Sequence, residues 1–107
     1  PYTTLFRSYQ SGLVYLDAVY ELLRQHPEAE IDLIAHTDTR GDARANLDLS
    51  ELRAQNARTY LLNRGIDARR IQAAGKGEAE PLNRCKDGVN CSDTEHRENN
   101  RLELRVR

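Results

Sequence analysis

The sequence predicts an α/β (α+β) two-layer sandwich, a mixed β-sheet with its helices packed on one face, and three observations predict it. Apolar residues recur at intervals of three and four over residues 12–25 and again over about 50–63, the spacing of helices with one buried face. Short apolar runs at 30–36 and 70–74 follow those stretches, so helix and strand alternate along the chain. At the end Leu102, Leu104 and Val106 alternate with Glu103, Arg105 and Arg107, the period of two of a half-buried strand. The predicted order is β-α-β-α-β-β, with a long loop before the last strand.

Length and charge bound this fold. A chain of 107 residues makes one domain, 1–107, around one modest core. Hydrophobic residues are 38%, aromatics 6%, and Trp and Met are absent, so the core is built from Leu, Ile, Val and Ala. Charged residues reach 31% but nearly cancel, for a formal net charge of -1. Nucleic-acid binding calls for a basic stripe, and here Asp and Glu interrupt almost every Arg, which argues against it. No apolar run approaches the roughly 20 residues of a membrane span and no signal-peptide pattern is present, so no direct membrane insertion by this segment is expected. The first residue is Pro1, and a longer chain with an upstream domain or anchor is expected.

Each element has its own signal. Residues 1–8 hold Tyr2, Thr3, Thr4, Leu5 and Phe6 and read as a short strand. From Gly12 to Gln25, Leu13, Leu16, Val19, Tyr20 and Leu23 share one helical face, and Pro27 stops the helix by restricting His26. Residues 30–36 form a strand in which Ile31, Leu33 and Ile34 predict a central position, buried on both faces. Residues 38–48, with Gly41 and Asn46, read as a shaped loop. The second helix is expected from about Ser50 to Asn63, capped by Asp48 or Ser50, burying Leu52, Ala57, Tyr60 and Leu61, and stopped by Gly65. A strand at 70–74 closes at Gly75-Lys76-Gly77, and 76–98 is expected to be a polar loop.

That loop carries Cys85 and Cys91. If bonded, they close a small ring worth on the order of 2.4 kcal/mol of chain entropy and imply an oxidising compartment. Reduction is then expected to loosen residues 85–91 and leave the candidate site nearly intact. Two free thiols are the alternative, although exposed free thiols are a liability.

The chemistry-bearing pair is Asp38 and Arg53. Asp38 falls where a strand gives way to a loop, a common place for ligand contacts. Arg53 is expected in the first turns of the next helix, where a guanidinium clamps a carboxylate in bidentate fashion and the helix dipole adds positive field. Spacing alone equally allows a surface salt bridge of little worth.

The surrounding residues extend this pair. His36-Thr37-Asp38-Thr39-Arg40-Gly41, Asn46, Leu49-Ser50-Glu51-Leu52-Arg53-Ala54, Tyr60-Leu61 and Gly65-Ile66 occur in series, followed by Gly75-Lys76-Gly77-Glu78, Pro81 and Asn99-Asn100-Arg101-Leu102-Glu103. Over residues 12–107 this series resembles the OmpA-like C-terminal (peptidoglycan-binding) domain. The resemblance implies non-covalent binding of peptidoglycan through the diaminopimelate of its stem peptide, with no reaction and no cofactor, and a periplasmic location attached to the outer membrane through regions outside this segment. It implies that Asp38 and Arg53 bind the ligand and that Thr37, Asn46 and Arg101 line or support the pocket. The distal end of diaminopimelate carries an ammonium and a carboxylate, which suits one acid and one arginine. Asn100 stands where the family usually has an arginine, and residues 1–8 do not fit the family's first strand; both predict weaker binding. The alternative is an envelope scaffold or interaction domain of the same fold that binds peptidoglycan weakly or not at all.

Other signals carry less. The spacing of Cys85, Cys91, His36 and His96 matches no usual zinc pattern. His36, Asp38 and Ser50 offer the residue types of a hydrolytic triad without a nucleophile turn or oxyanion motif. Arg40-Gly41-Asp42 is a common tripeptide, and Gly75-Lys76-Gly77 lacks the rest of a phosphate loop.

Overall fold

A computed structural model describes residues 3–8 and 13–107, with the side chains described from Val14 onward. The elements are β1 (Thr3–Ser8), α1 (Leu13–Gln25), β2 (Ile31–His36), α2 (Ala43–Asn63), a 3-10 turn (Ala68–Arg70), β3 (Ile71–Gly77), α3 (Asp93–Arg97) and β4 (Arg101–Val106). The helix start expected at Gly12 and the part of the first strand expected at Pro1 and Tyr2 lie outside the described residues.

The sheet order is β1-β4-β2-β3. β2 and β3 run parallel, which requires the crossover that α2 supplies, while β4 is antiparallel to both β1 and β2. β2 is central, as its apolar run predicts. Ile31, Leu33 and Ala35 of β2, Leu102 and Leu104 of β4 and Ile71 of β3 turn one face toward Val19 and Leu23 of α1 and Ala54, Ala57 and Leu61 of α2. The helices thus cover one face of a mixed sheet.

The approach of α2 to β3 is close. A Cβ on Gly75 would overlap the backbone nitrogen of Glu51 and the hydroxyl of Ser50. In the space this leaves, the Gly77 N–H donates to Ser50 Oγ at 2.8 Å and the Gly75 N–H to Glu51 Oε2 at 2.9 Å. Side chains of α2 therefore grip β3 beside its ladder. At the helix end Gly65, at φ 99°, lets its own N–H reach Leu62 O and the Ile66 N–H reach Leu61 O, a Schellman stop that drops Ile66 into the core.

The structure corrects several expectations. Helix α2 begins at Ala43 and is capped by Asp42, whose Oδ2 accepts from the Ala45 N–H at 2.9 Å; neither Asp48 nor Ser50 is the cap. Its first two turns lack an apolar face because they stand clear of the core, and periodicity misses them. Ser50 is instead a fully buried mid-helix residue, and Leu52 is 57% exposed. The buried stripe is Ser50, Ala54, Ala57 and Leu61, mostly small because the helix lies so close to the sheet. Strand β3 continues to Gly77, and α3 interrupts the long loop. A capping box, with Ser92 and Glu95 bonding each other's backbone, starts α3 and is legible as S-x-x-E. Strand β4 is not half-buried: Glu103 is 2% exposed.

Candidate ligand-binding site

The site is built where β2 runs out. The Thr37 N–H donates to Gly77 O at 2.8 Å, which ties the strand exit to the end of β3. Thr37 is 4% exposed, and its hydroxyl donates to Asp38 O at 3.0 Å. Asn46, one turn into α2, spans the loop: its Nδ2 donates to Asp38 O at 3.3 Å, Arg40 O at 3.0 Å and Glu78 Oε1 at 3.2 Å. The loop is thus fixed from three elements. That gives Thr37 and Asn46 concrete supporting positions around Asp38.

The carboxylate of Asp38 receives four donors. Oδ1 accepts from the Arg40 backbone N–H at 2.8 Å and from Arg40 Nε at 3.3 Å. Oδ2 accepts from Arg40 Nη2 at 2.9 Å and from Asn100 Nδ2 at 2.6 Å. Asn100 also accepts the Asp38 N–H through Oδ1 at 3.2 Å. Burial works to raise the Asp38 pKa, but the bonds from Arg40 and Asn100 outweigh it and hold the group below the usual range. Asp38 is an anion fixed in place.

Arg53 lies elsewhere than its spacing suggests. The early start of α2 puts it in the third turn, where the helix dipole no longer adds to its field. Its side chain is exposed and has no hydrogen bond or ion pair with Asp38 or with any other described residue. It does share a face with Asn46: seven residues are two turns, so it sits about 10 Å along the same line of the helix. Side chains tilt toward the helix N-terminus, the end of α2 from which Asn46 reaches the Asp38 loop.

Arg101 is directed elsewhere. It is 5% exposed; Nε donates to Glu103 Oε2 at 2.8 Å and Nη2 to Glu80 O at 2.9 Å. Glu103 also receives Arg105 Nη2 at 3.1 Å and lies 3.4 Å from His36 Nε2. Burial first, then Arg101, lowers the His36 pKa to about 4, against a smaller opposing pull from Glu103. His36 is buried in this ionic face of the sheet, opposite the face that Ile31, Leu33 and Ala35 turn to the helices, so it points away from Ser50 on α2.

Two site residues escaped the spacing argument. Arg40 falls in the motif series and in a common tripeptide, and neither gives it a role, although an acid two residues before it can cap its N–H in an Asx turn. Asn100 was read as a missing arginine. No sequence signal pairs positions 62 residues apart; only the β2–β4 register, with His36 opposite Arg101, brings Asn100 to Asp38.

The second wall is the cysteine loop. Cys85 and Cys91 are joined, with Cα atoms 6.1 Å apart, which closes the metal reading for this pair. Cys85 is fully buried and its carbonyl accepts the Thr39 hydroxyl at 3.3 Å. Arg40 Nη1 bonds Asp93 Oδ1 of α3 at 3.1 Å. Between this loop and α2 lies a cleft of about 520 Å³, lined by Thr39, Leu47, Lys76, Glu78 and Lys86 among others. It neighbours the Asp38 loop through Thr39.

Comparison with known proteins places the chain. A family model described as the OmpA family matches residues 9–97. The probable lipoprotein YiaD of Escherichia coli K12 is 33% identical over 72 residues, 67% of this chain and 33% of that protein. The peptidoglycan-associated lipoprotein of Legionella pneumophila is 31% identical over 89 residues, 83% of this chain and 48% of its own length. The chain therefore spans between a third and a half of these two relatives. Among solved structures, the peptidoglycan-associated lipoprotein from Burkholderia pseudomallei superposes with a TM-score of 0.76 at 24% identity, covering 99% of this chain and 89% of that one. The cell wall anchor of the T6SS from Pseudomonas aeruginosa gives 0.71 at 28% identity, covering 95% and 73%. The family match extends over most of the chain and the fold agrees throughout: the chain belongs to the OmpA family.

Proposed function

We propose that this domain binds peptidoglycan non-covalently through the diaminopimelate of the stem peptide and so holds the outer membrane, or an envelope complex, to the cell wall from the periplasmic side. Attachment to the outer membrane is assigned to regions outside this segment, and no reaction is assigned to it. The observation that carries the reading is the placement of two opposite charges. Asp38 is an anion on a braced loop, and the exposed Arg53 stands two turns along the helix face that begins at Asn46. Asp38 takes the distal ammonium and Arg53 the carboxylate beside it. The names of the Legionella relative and of the Pseudomonas cell wall anchor support the coarser part of this reading, association with peptidoglycan or the cell wall. Thr37 and Asn46 act through the loop. Arg101, bound to Glu103, contributes structure.

The test is sedimentation with insoluble peptidoglycan of the wild type, Asp38→Ala and Arg53→Ala. The wild type pellets and both variants stay in solution. Equal pelleting of all three would put binding elsewhere on the surface. The second reading, a scaffold of this fold, is favoured by one fact, that Arg40 already occupies Asp38 in the free protein. A wild type that does not pellet would establish it. Cross-linking turns the distal ammonium into a neutral amide, so calorimetry should show tighter binding of uncross-linked stems; equal affinities would remove Asp38 from the contact.

A further inference from the structure

Asp38 is saturated before a ligand arrives. An ionised carboxylate offers about four acceptor positions, and four donors already fill them: the Arg40 backbone N–H, Arg40 Nε, Arg40 Nη2 and Asn100 Nδ2. A ligand ammonium enters only by exchange.

The four donors differ in how freely they leave. The Arg40 N–H is fixed by the backbone. Asn100 is clamped at both ends, because its Oδ1 holds the Asp38 N–H while its Nδ2 holds the carboxylate. Moving it would strand a backbone donor beside a buried acid. The Arg40 guanidinium is different: its side chain is 47% exposed, and its Nη1 already bonds Asp93, an 88% exposed acid on α3. Its own charge stays in solvent when it withdraws, and the buried Asp38 carboxylate loses no charge partner so long as the ligand ammonium takes its place. Asp93 then keeps it at the rim of the site.

We infer that Arg40 is a specificity-determining residue for ligands with an ammonium and a carboxylate on one carbon: such a zwitterion opens the Asp38–Arg40 ion pair and inserts itself between the partners. Rather than lose a charge pair, the site exchanges one pair for two, ammonium on Asp38 and carboxylate shared between Arg40 and Arg53. A carboxylate has acceptor positions for both guanidinium groups. A ligand with only an ammonium displaces Arg40 and gives it nothing in return. Arg40 therefore rewards the zwitterion and opposes the simple amine. The inference rests on the reading that Asp38 receives the ligand's ammonium.

The two ligand types are available as a tripeptide ending in meso-diaminopimelate, with its distal ammonium and carboxylate, and the same tripeptide ending in lysine, with the ammonium alone. Calorimetry on the wild type, Arg40→Gln, Arg40→Lys and Asp38→Ala separates the possibilities. In Arg40→Gln the diaminopimelate peptide binds about three- to fivefold more weakly and the lysine peptide by a similar factor more tightly, the range a half-exposed charge pair supplies. Arg40→Lys keeps the wild-type order of preference. A purely structural role for Arg40 would move both affinities the same way, and that result, or no change in either, would overturn the inference. Asp38→Ala tests the underlying reading: it should weaken both peptides, and unchanged binding of both would refute that reading whatever Arg40 does.

Discussion

Replacing Gly75 by alanine tests how α2 carries the site. The added methyl would overlap Glu51 N and Ser50 Oγ, both on the helix, so α2 must move off β3. Overpacking of this kind costs about 1–3 kcal/mol. The shift also breaks the bonds from the Gly75 and Gly77 N–H groups to Glu51 and Ser50, and two hydrogen bonds at about 1 kcal/mol each bring the total to about 3–5 kcal/mol. In a domain of this size that lowers Tm by more than about 10 °C. Urea unfolding followed by circular dichroism measures it. Gly88→Ala is the control: at φ 83° with nothing near the added methyl, it carries only left-handed strain of about 1 kcal/mol. Because Asn46 and Arg53 ride on α2, ligand binding should weaken with Gly75→Ala but not with Gly88→Ala. A loss below about 1 kcal/mol for Gly75→Ala would mean the helix stands further from β3 than described.

Two other outcomes follow from the site's surroundings. Reducing the Cys85–Cys91 bond should lower stability by about 2 kcal/mol and also weaken ligand binding, since Thr39 and Arg40 bond Cys85 O and Asp93; this reverses the expectation of an untouched pocket, and calorimetry with and without dithiothreitol decides it. For His36, the folded pKa of about 4 lies below its ordinary 6.5, so the unfolded chain binds the extra proton first. Stability should therefore fall as pH drops from about 6.5 toward 4, and His36→Gln should flatten that slope in chemical denaturation series.

What could be read ahead of the structure was set by period and by punctuation. Ile31, Leu33 and Ile34 announced a central strand because apolar residues fall on both of its faces, and Leu102, Leu104 and Val106 announced β4 because strand burial repeats every two residues. Gly65 marked the end of α2 because few other residues take its backbone conformation. The start of α2 was hidden, since Ala43 to Asp48 bury no apolar side chain in the core and leave no apolar stripe. Glu103 misled for the opposite reason: a buried acid paired with Arg101 and Arg105 looks in sequence like an exposed one. Asp38 was legible as a strand-exit acid, and its series of neighbouring motifs gave it a partner in Arg53. Its actual neighbours, Arg40 and Asn100, depend on a tight turn and on register between distant strands, which neither composition nor periodicity encodes.

The sheet order has a mechanical consequence. Thr3 and Ile31 both pair with Val106, whereas His36, two residues before Asp38, pairs with Arg101. The outer ends of β1 and β4 therefore lie at one end of the sheet and the Asp38 loop at the other, a strand length of on the order of 17 Å apart. Tension between a ligand held at Asp38 and anything joined at those outer ends runs along the strands. Ladder bonds in antiparallel pairs stand perpendicular to that direction, so β1–β4 and β4–β2 are loaded in shear, every bond sharing the force, and do not peel open one bond at a time. A sheet loaded this way resists rupture through its rate of forced unfolding more than through its equilibrium stability.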